Sequence, residues 1–434
     1  MDSARTRPQL AAKAGECQHG FPGFGRASRI LPTRHDKESD VTDRERILAS
    51  IRGETPDRLA WVPRLEFWYR GRRRRGLLPE PVRDLELHEV ADRLGVGQYA
   101  VVPDFTVRAD PSDMIDRALG IYNLDVLPYR ATLENVDRVV TRRGCETIVE
   151  YHTPVGSIRT TAMMTDEMLD SGASISYVTE YAIREPRDFE VVGHIFDNVK
   201  VEPCFEGYVA KQRQVGDRGI VVAFTSGTAC PIHHIMKDLM PVEQFFLAMH
   251  DHPSAVARLA ERIEPFFAAI KGCAAESPAE VVLLGGNYDD AITYPPLFEK
   301  YFVPPLRAYA DDLHARGKYL MTHTDGENRK LLPLYRDAAF DVADSVCPYP
   351  MTSCPLDELL DAFAGQTTIW GGIPSILLCR DSATDSDFRS FIDTLLARYG
   401  RATRFVLGVS DMVTADAEWD RLQYVSDRVA EMGA

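Results

Sequence analysis

His323 and Asp325 stand two residues apart in "KYLMTHTDGE" (318–327), where an apolar, strand-like run ends in Asp-Gly. A strand-end histidine in that setting has few packing reasons to exist. A neutral imidazole with carboxylates from other strands makes a ligand set for Zn²⁺ or a similar divalent ion. Without a metal, the same pair is a general acid–base couple in which the carboxylate tunes the imidazole. Other apolar runs also end on residues that can do chemistry: Glu66 and Trp68, Asp104, then Ser226 with Cys230 and the pair His233–His234. Asn287, Asp289 and Asp290 follow, then Cys347, Ser375, and finally Ser410 with Asp411. Plainer roles compete for several of them. Asp104 after a proline suits a turn, Asp289 and Asp290 suit a helix cap, the two histidines suit packing, and Cys347 suits burial.

The runs themselves must position these groups. They are "LAWVPRLEF" (59–67), "QYAVVPDF" (98–105), "GIVVAFTSG" (219–227), "EVVLLGGN" (280–287), "KYLMTHTDG" (318–326), "VADSVCPYP" (342–350), "TTIWGGIPS" (367–375) and "RFVLGVSD" (404–411). Near-continuous apolar runs, rather than alternation, are expected of parallel strands buried on both faces. Helical patterns such as "PPLFEKYFVPPLRAYADDLHARG" separate most of them, so the chain spells strand–helix units. Eight such units predict a (β/α)8 TIM barrel, whose chemistry sits at the C-terminal ends of the strands. The gap between the second and third runs exceeds the others and holds alternating segments such as "CETIVEYHTPVGSIRTTAMM". It predicts a β-hairpin-rich insertion at about 110–216. A doubly wound open sheet is the structural alternative, but neither GxGxxG nor GxxxxGK[ST] occurs.

Residues 1–40 mix Gly, Pro, Arg and Lys without an apolar period and are expected to be a flexible tail, with a single domain over 41–434. In "VTDRERILASIRGETPDR", Thr42 or Asp43 is placed to cap a helix burying Ile47, Leu48 and Ile51 and stopped by Gly53. A net charge of -15 argues against nucleic-acid binding, which needs a basic footprint. The basic run "RGRRRRG" (70–76) is read as a solvated loop or as an anion contact. No run of about 18 apolar residues exists to span a membrane, and no secretory signal opens the chain. Eight scattered cysteines without a CxxC pair suggest reduced thiols and a cytoplasmic location.

"RERILASIRGETPDRLAWVP", "YPPLFEKYFVPPLRAYADDLHARGKYLMTHTDG", "LLPLYRDAAFDVADSV", "IWGGIPS" and "FVLGVSDMV" together resemble the uroporphyrinogen decarboxylase superfamily from about residue 42 onward. The resemblance implies a (β/α)8 barrel and offers two activity classes. The decarboxylase itself is metal-free and uses an Arg-Gln-Ala-Gly-Arg-like motif after the first strand, which "RLEFWYRGRRRRG" lacks. The second class is the zinc-dependent, corrinoid-linked methyltransferases, with a His-x-Cys pair on the fifth strand and a Cys on the eighth. Here the histidine is His323, while Asp325 and Asp411 stand where sulfur would be. Oxygen ligation raises the Lewis acidity of zinc and admits other divalent ions.

The leading expectation is therefore a methyltransferase moving a methyl group between a small methoxylated or methylated compound and a corrinoid or other acceptor. His323 and Asp325 would be catalytic. His323, Asp325, Asp411 and, more weakly, Cys347 would hold a divalent metal such as Zn²⁺. Glu66, Trp68, Asp104 and Asn287 would line the substrate pocket, and a corrinoid protein would be the partner. The alternative is a metal-free decarboxylase of a small or tetrapyrrole-like acid, with the arginine run as carboxylate clamp and Asp104 or His323 as proton donor. A non-catalytic ligand-binding barrel is a third reading. The resemblance also implies that homodimers are common.

Overall fold

The computed structural model describes residues 41–102, 116–124 and 126–433. The tail expected at 1–40, and Asp104, lie outside the described residues. Thr42, rather than Asp43, caps the first helix, Asp43–Arg52. Its hydroxyl accepts from the Glu45 N–H at 3.1 Å, and the Glu45 carboxylate accepts from the Thr42 N–H at 2.7 Å. This reciprocal pair satisfies two N–H groups that a helix start leaves without partners. Gly53 stops the helix at φ 77°.

The strands in chain order are β1 (Gln98–Val102), β2 (Tyr129–Leu133), β3 (Asp137–Arg143), β4 (Glu146–Thr153), β5 (Gly156–Met163), β6 (Tyr177–Glu180), β7 (Val199–Pro203), β8 (Gly219–Ser226), β9 (Val281–Gly286), β10 (Tyr319–His323), β11 (Val342–Val346), β12 (Thr368–Ile373) and β13 (Phe405–Val409). Seven of them form one parallel sheet in the order β1-β8-β9-β10-β11-β12-β13. Every residue of β8, β9, β11, β12 and β13 is buried, which is why their sequences read as unbroken apolar runs. Gly219 opens β8 beside β1, where an added Cβ would fall 1.8 Å from the Gln98 carbonyl oxygen. Only glycine lets the two strands pair there.

The first apolar run behaves differently from the expected strand 59–67. Only a short bridge forms: Val62 N donates to Leu407 O at 2.8 Å, and Leu407 N to Ala60 O at 2.9 Å. On the other side Gly97 N donates to Trp61 O at 2.9 Å. One segment thus touches β13 and the entry to β1, and the sheet curls into a TIM-barrel-like ring. Beyond Pro63 the chain turns into the helix Glu66–Arg74.

Between β1 and β8 lie two antiparallel pieces, the pair β2·β7 and the four-stranded β3-β4-β5-β6. Among the described residues no helix is long and apolar enough to cross a membrane.

Candidate active site

A cavity of about 740 Å³ opens among the C-terminal ends of the parallel strands, and Arg64, Tyr99, Asn287, His323, Asp344 and Asp411 line it. His323 ends β10, and its register partner on β11 is Asp344. The imidazole Nδ1 lies 2.8 Å from Asp344 Oδ2, a distance at which Nδ1–H donates to the carboxylate. On the other flank Gly286 of β9 is paired with His323. A Cβ at Gly286 would sit 2.9 Å from His323 Cβ, so the missing side chain leaves room for the ring. Asp411 Oδ1 stands 3.6 Å from His323 Nε2.

Arg64 ties these groups together. Its Nη1 lies 3.3 Å from Asp411 Oδ1 and 3.9 Å from Asp344 Oδ2, and its guanidinium carbon is 5.4 Å from the centroid of the Tyr99 ring. The Tyr99 hydroxyl is 3.3 Å from Asp344 Oδ2. Burial by itself would lower the His323 pKa, but the bond to Asp344 and the charges of Asp344 and Asp411 outweigh it and hold it above the usual value. Burial would raise Asp344, yet its bond to His323 and the charges of His323 and Arg64 keep it below the usual carboxylate range. The couple is a histidine bonded to a carboxylate and aimed at a cavity, in surroundings that favour the charged form of each.

Asn287, Ser345 and Asp411 adopt left-handed φ values of 58°, 61° and 53°. Asn287 and Asp411 line this cavity just beyond strand ends, and Ser345 lies within β11 beside Asp344. Non-glycine residues rarely take that conformation, and such strain clusters where side-chain direction matters.

A second group enters from a π-helical turn, Ile235–Leu239. Lys237 reaches the cavity with Nζ 3.0 Å from Gly227 O, 3.0 Å from Asn287 Oδ1 and 3.5 Å from Gly286 O. Burial pushes its pKa down to about 8, against the opposing pull of Asp238. Its neighbour Asp238 lies 3.5 Å from Arg117, another cavity residue.

Of the expected substrate residues, Glu66 and Asn287 line the cavity. Trp68 does not. It is fully buried, stacks on Trp419 at 5.7 Å and donates to Ala417 O at 2.9 Å. The early end of the first strand explains this, since the helix turns Trp68 into the core. Trp68→Ala should therefore cost about 3–5 kcal/mol of stability, read as a shift in the urea midpoint. A folded variant with unchanged stability would return Trp68 to the pocket wall.

The arginine run is helix, not loop. Arg73 pairs with Glu86, Arg74 with Asp166 and Asp170, and Arg75 with Asp416, while Arg70 lines the cavity. His233 and His234 are buried, bonded to Ala229 N and Leu119 O respectively. Asp290 binds Lys330 and Asp289 caps the turn at Ala291.

Of the four expected metal ligands, His323 and Asp411 approach each other to 3.6 Å. Among the described residues, no group of three or more His, Cys, Asp or Glu side chains is arranged to hold a metal ion. Cys347 lines a separate, smaller cavity, and burial pushes its thiol up to about 11. Asp325 faces Asn287 Nδ2 at 3.5 Å, and burial, together with the charge of Asp411, raises its pKa. Asp411 and Asp344 already have a cation in Arg64. Arg64 thus stands where these carboxylates need a positive charge. Sequence reading missed Arg64, Tyr99, Lys237 and Asp344. A charged residue inside the apolar run "VADSV" was the available signal for Asp344.

Among solved structures, a methyltransferase from Methanosarcina mazei is similar over 91% of this chain and 100% of its own, with a TM-score of 0.50 and 12% identity, a likeness of fold. No curated protein matches the chain. The family model of uroporphyrinogen decarboxylase (URO-D) matches residues 163–432, a span that includes β8 to β13 and, of the residues around the cavity, Lys237, His323, Asp344 and Asp411. The chain belongs to the uroporphyrinogen decarboxylase family.

Proposed function

We propose that the chain is a lyase that decarboxylates a small carboxylic acid without a metal, with His323 as proton donor. The observation that carries this reading is the His323–Asp344 couple facing the cavity, its charges balanced by Arg64 rather than by an open metal position. In such a reaction the bond to the carboxyl carbon breaks, CO₂ leaves, and the carbon left behind takes a proton. His323 Nε2–H supplies that proton, Asp344 holds the ring and favours its charged form, and solvent restores it. Arg117 adds positive charge to the cavity wall for an anionic substrate.

Methyl transfer is the second reading. The approach of Asp411 to His323 Nε2 supports it, as does the fold shared with the Methanosarcina mazei methyltransferase. The same imidazolium would then protonate the oxygen that leaves a methyl ether, and a corrinoid protein would be the acceptor. In both readings the enzyme is cytoplasmic.

The test is CO₂ release from a panel of small mono- and dicarboxylic acids, run beside product analysis of methoxylated aromatics with a corrinoid protein. At least one acid should release CO₂, and His323→Gln should lower kcat about a hundredfold or more with circular dichroism unchanged. Demethylation without CO₂ release would select the second reading. Turnover that survives His323→Gln would remove both.

A further inference from the structure

Lys237 is an amine on the cavity wall for which proton donation by His323 has no use. Three features of its surroundings are unusual together. It stands in a π-helical turn, a local widening that recurs at functional sites. It is held by Asn287, which stands in the left-handed region at φ 58° just beyond β9. Its two close acceptors, Gly227 O and Asn287 Oδ1, are both neutral and both at 3.0 Å, with a third, Gly286 O, at 3.5 Å. All three acceptors are uncharged, so none of them offsets the cost of burying an ammonium. No carboxylate lies within ion-pairing distance of Nζ among the described residues. Gly286 lies beside both Nζ and His323, so amine and imidazolium share one part of the cavity wall.

We infer that Lys237 forms an imine with the ketone of a 3-oxo acid, which makes 3-oxo acids the substrate class. The inference rests on the decarboxylase reading and deepens it. The amine Nζ adds to the ketone carbon, and the carbinolamine loses its hydroxyl as water to give a protonated imine. The bond from the α-carbon to the carboxyl carbon then breaks, its electron pair moves into the iminium to form an enamine, and CO₂ leaves. The α-carbon takes a proton from the His323 side of the cavity. Water hydrolyses the resulting imine, releasing the ketone and restoring the amine. No oxidant or further co-reactant is needed. A pKa pushed down to about 8 by burial leaves a working fraction of free amine near neutrality.

The experiment is reductive trapping on the full chain. Acetoacetate and 3-oxoglutarate are each incubated with the protein and sodium cyanoborohydride, and the modified peptide is located by mass spectrometry. The expected result is one adduct, on Lys237, with the mass of the reduced ketone after loss of CO₂, absent from Lys237→Met. An adduct on Lys237 that retains the departing carboxyl supports the imine and counts against decarboxylation. CO₂ release from these acids with Lys237 unmodified overturns the inference and leaves the decarboxylase reading standing. Neither adduct nor CO₂ release overturns the inference outright. Mapping on the native chain makes the result independent of how well the variant folds.

Discussion

Asp344→Asn should lower kcat about a hundredfold or more and move the alkaline limb of the pH–rate profile to lower pH. The substitution keeps an acceptor near His323 Nδ1 but removes the charge that stabilises the imidazolium. Burial would then dominate, and burial lowers the His323 pKa. A proton donor works only below its pKa, so the raised value in the native chain extends activity upward in pH and the variant loses that extension. Stability should follow the same groups. His323 has a folded pKa above its unfolded value of about 6.5. Its contribution is therefore complete below that value and is lost as pH rises through the folded one. Asp344 is depressed, so its contribution is complete above an unfolded value of about 3.9 and is lost as pH falls through the folded one. Native and variant chains should differ most between these limits, roughly pH 4 to 6.5. An unmoved alkaline limb would show that Asp344 does not act through His323.

That pairing also marks where the sequence was legible and where it was not. The parallel strands announced themselves because burial on both faces demands unbroken apolar runs, and His323 stood out at the polar end of one. Asp344 lies within such a run, between Ala343 and Ser345, where the surrounding residues read as core. Its role exists only in the register that sets it opposite His323, and register is a tertiary fact. Arg64 and Trp68 were misplaced by one error of length. The run 59–67 looks like a long strand, but pairing stops near Val62 and a helix begins at Glu66. Arg64 consequently falls at the barrel mouth and Trp68 in the outer packing. Lys237 was hidden for another reason. Its segment reads as an ordinary helix turn, and the widened turn that carries it to the cavity has no sequence signature at that length.

The second large effect concerns the cation itself. Arg64→Met should destabilise the chain by about 3 kcal/mol, the low end of the range for breaking a buried pair. The side-chain exposures set that level. Asp344 is 2% exposed and Arg64 19%, so their charges are poorly solvated, whereas Asp411 at 42% is screened by water and adds less. Without the guanidinium, Asp344 keeps His323 and the hydroxyls of Tyr99 and Ser345 to balance it. Arg64→Lys should recover only part of the loss, because a point charge cannot serve two carboxylates and lie over the Tyr99 ring as the planar group does. A double-mutant cycle with Asp411→Asn should show a coupling below about 1 kcal/mol, whereas the cycle with Asp344→Asn should show the larger one. The cation also bears on the metal question. If Arg64 occupies the charge role that a divalent ion would take, a chelator should leave the native melting temperature unchanged. A drop of several degrees on chelation, reversed by Zn²⁺, would mean that His323 and the two aspartates hold a metal and that Arg64 is only its neighbour.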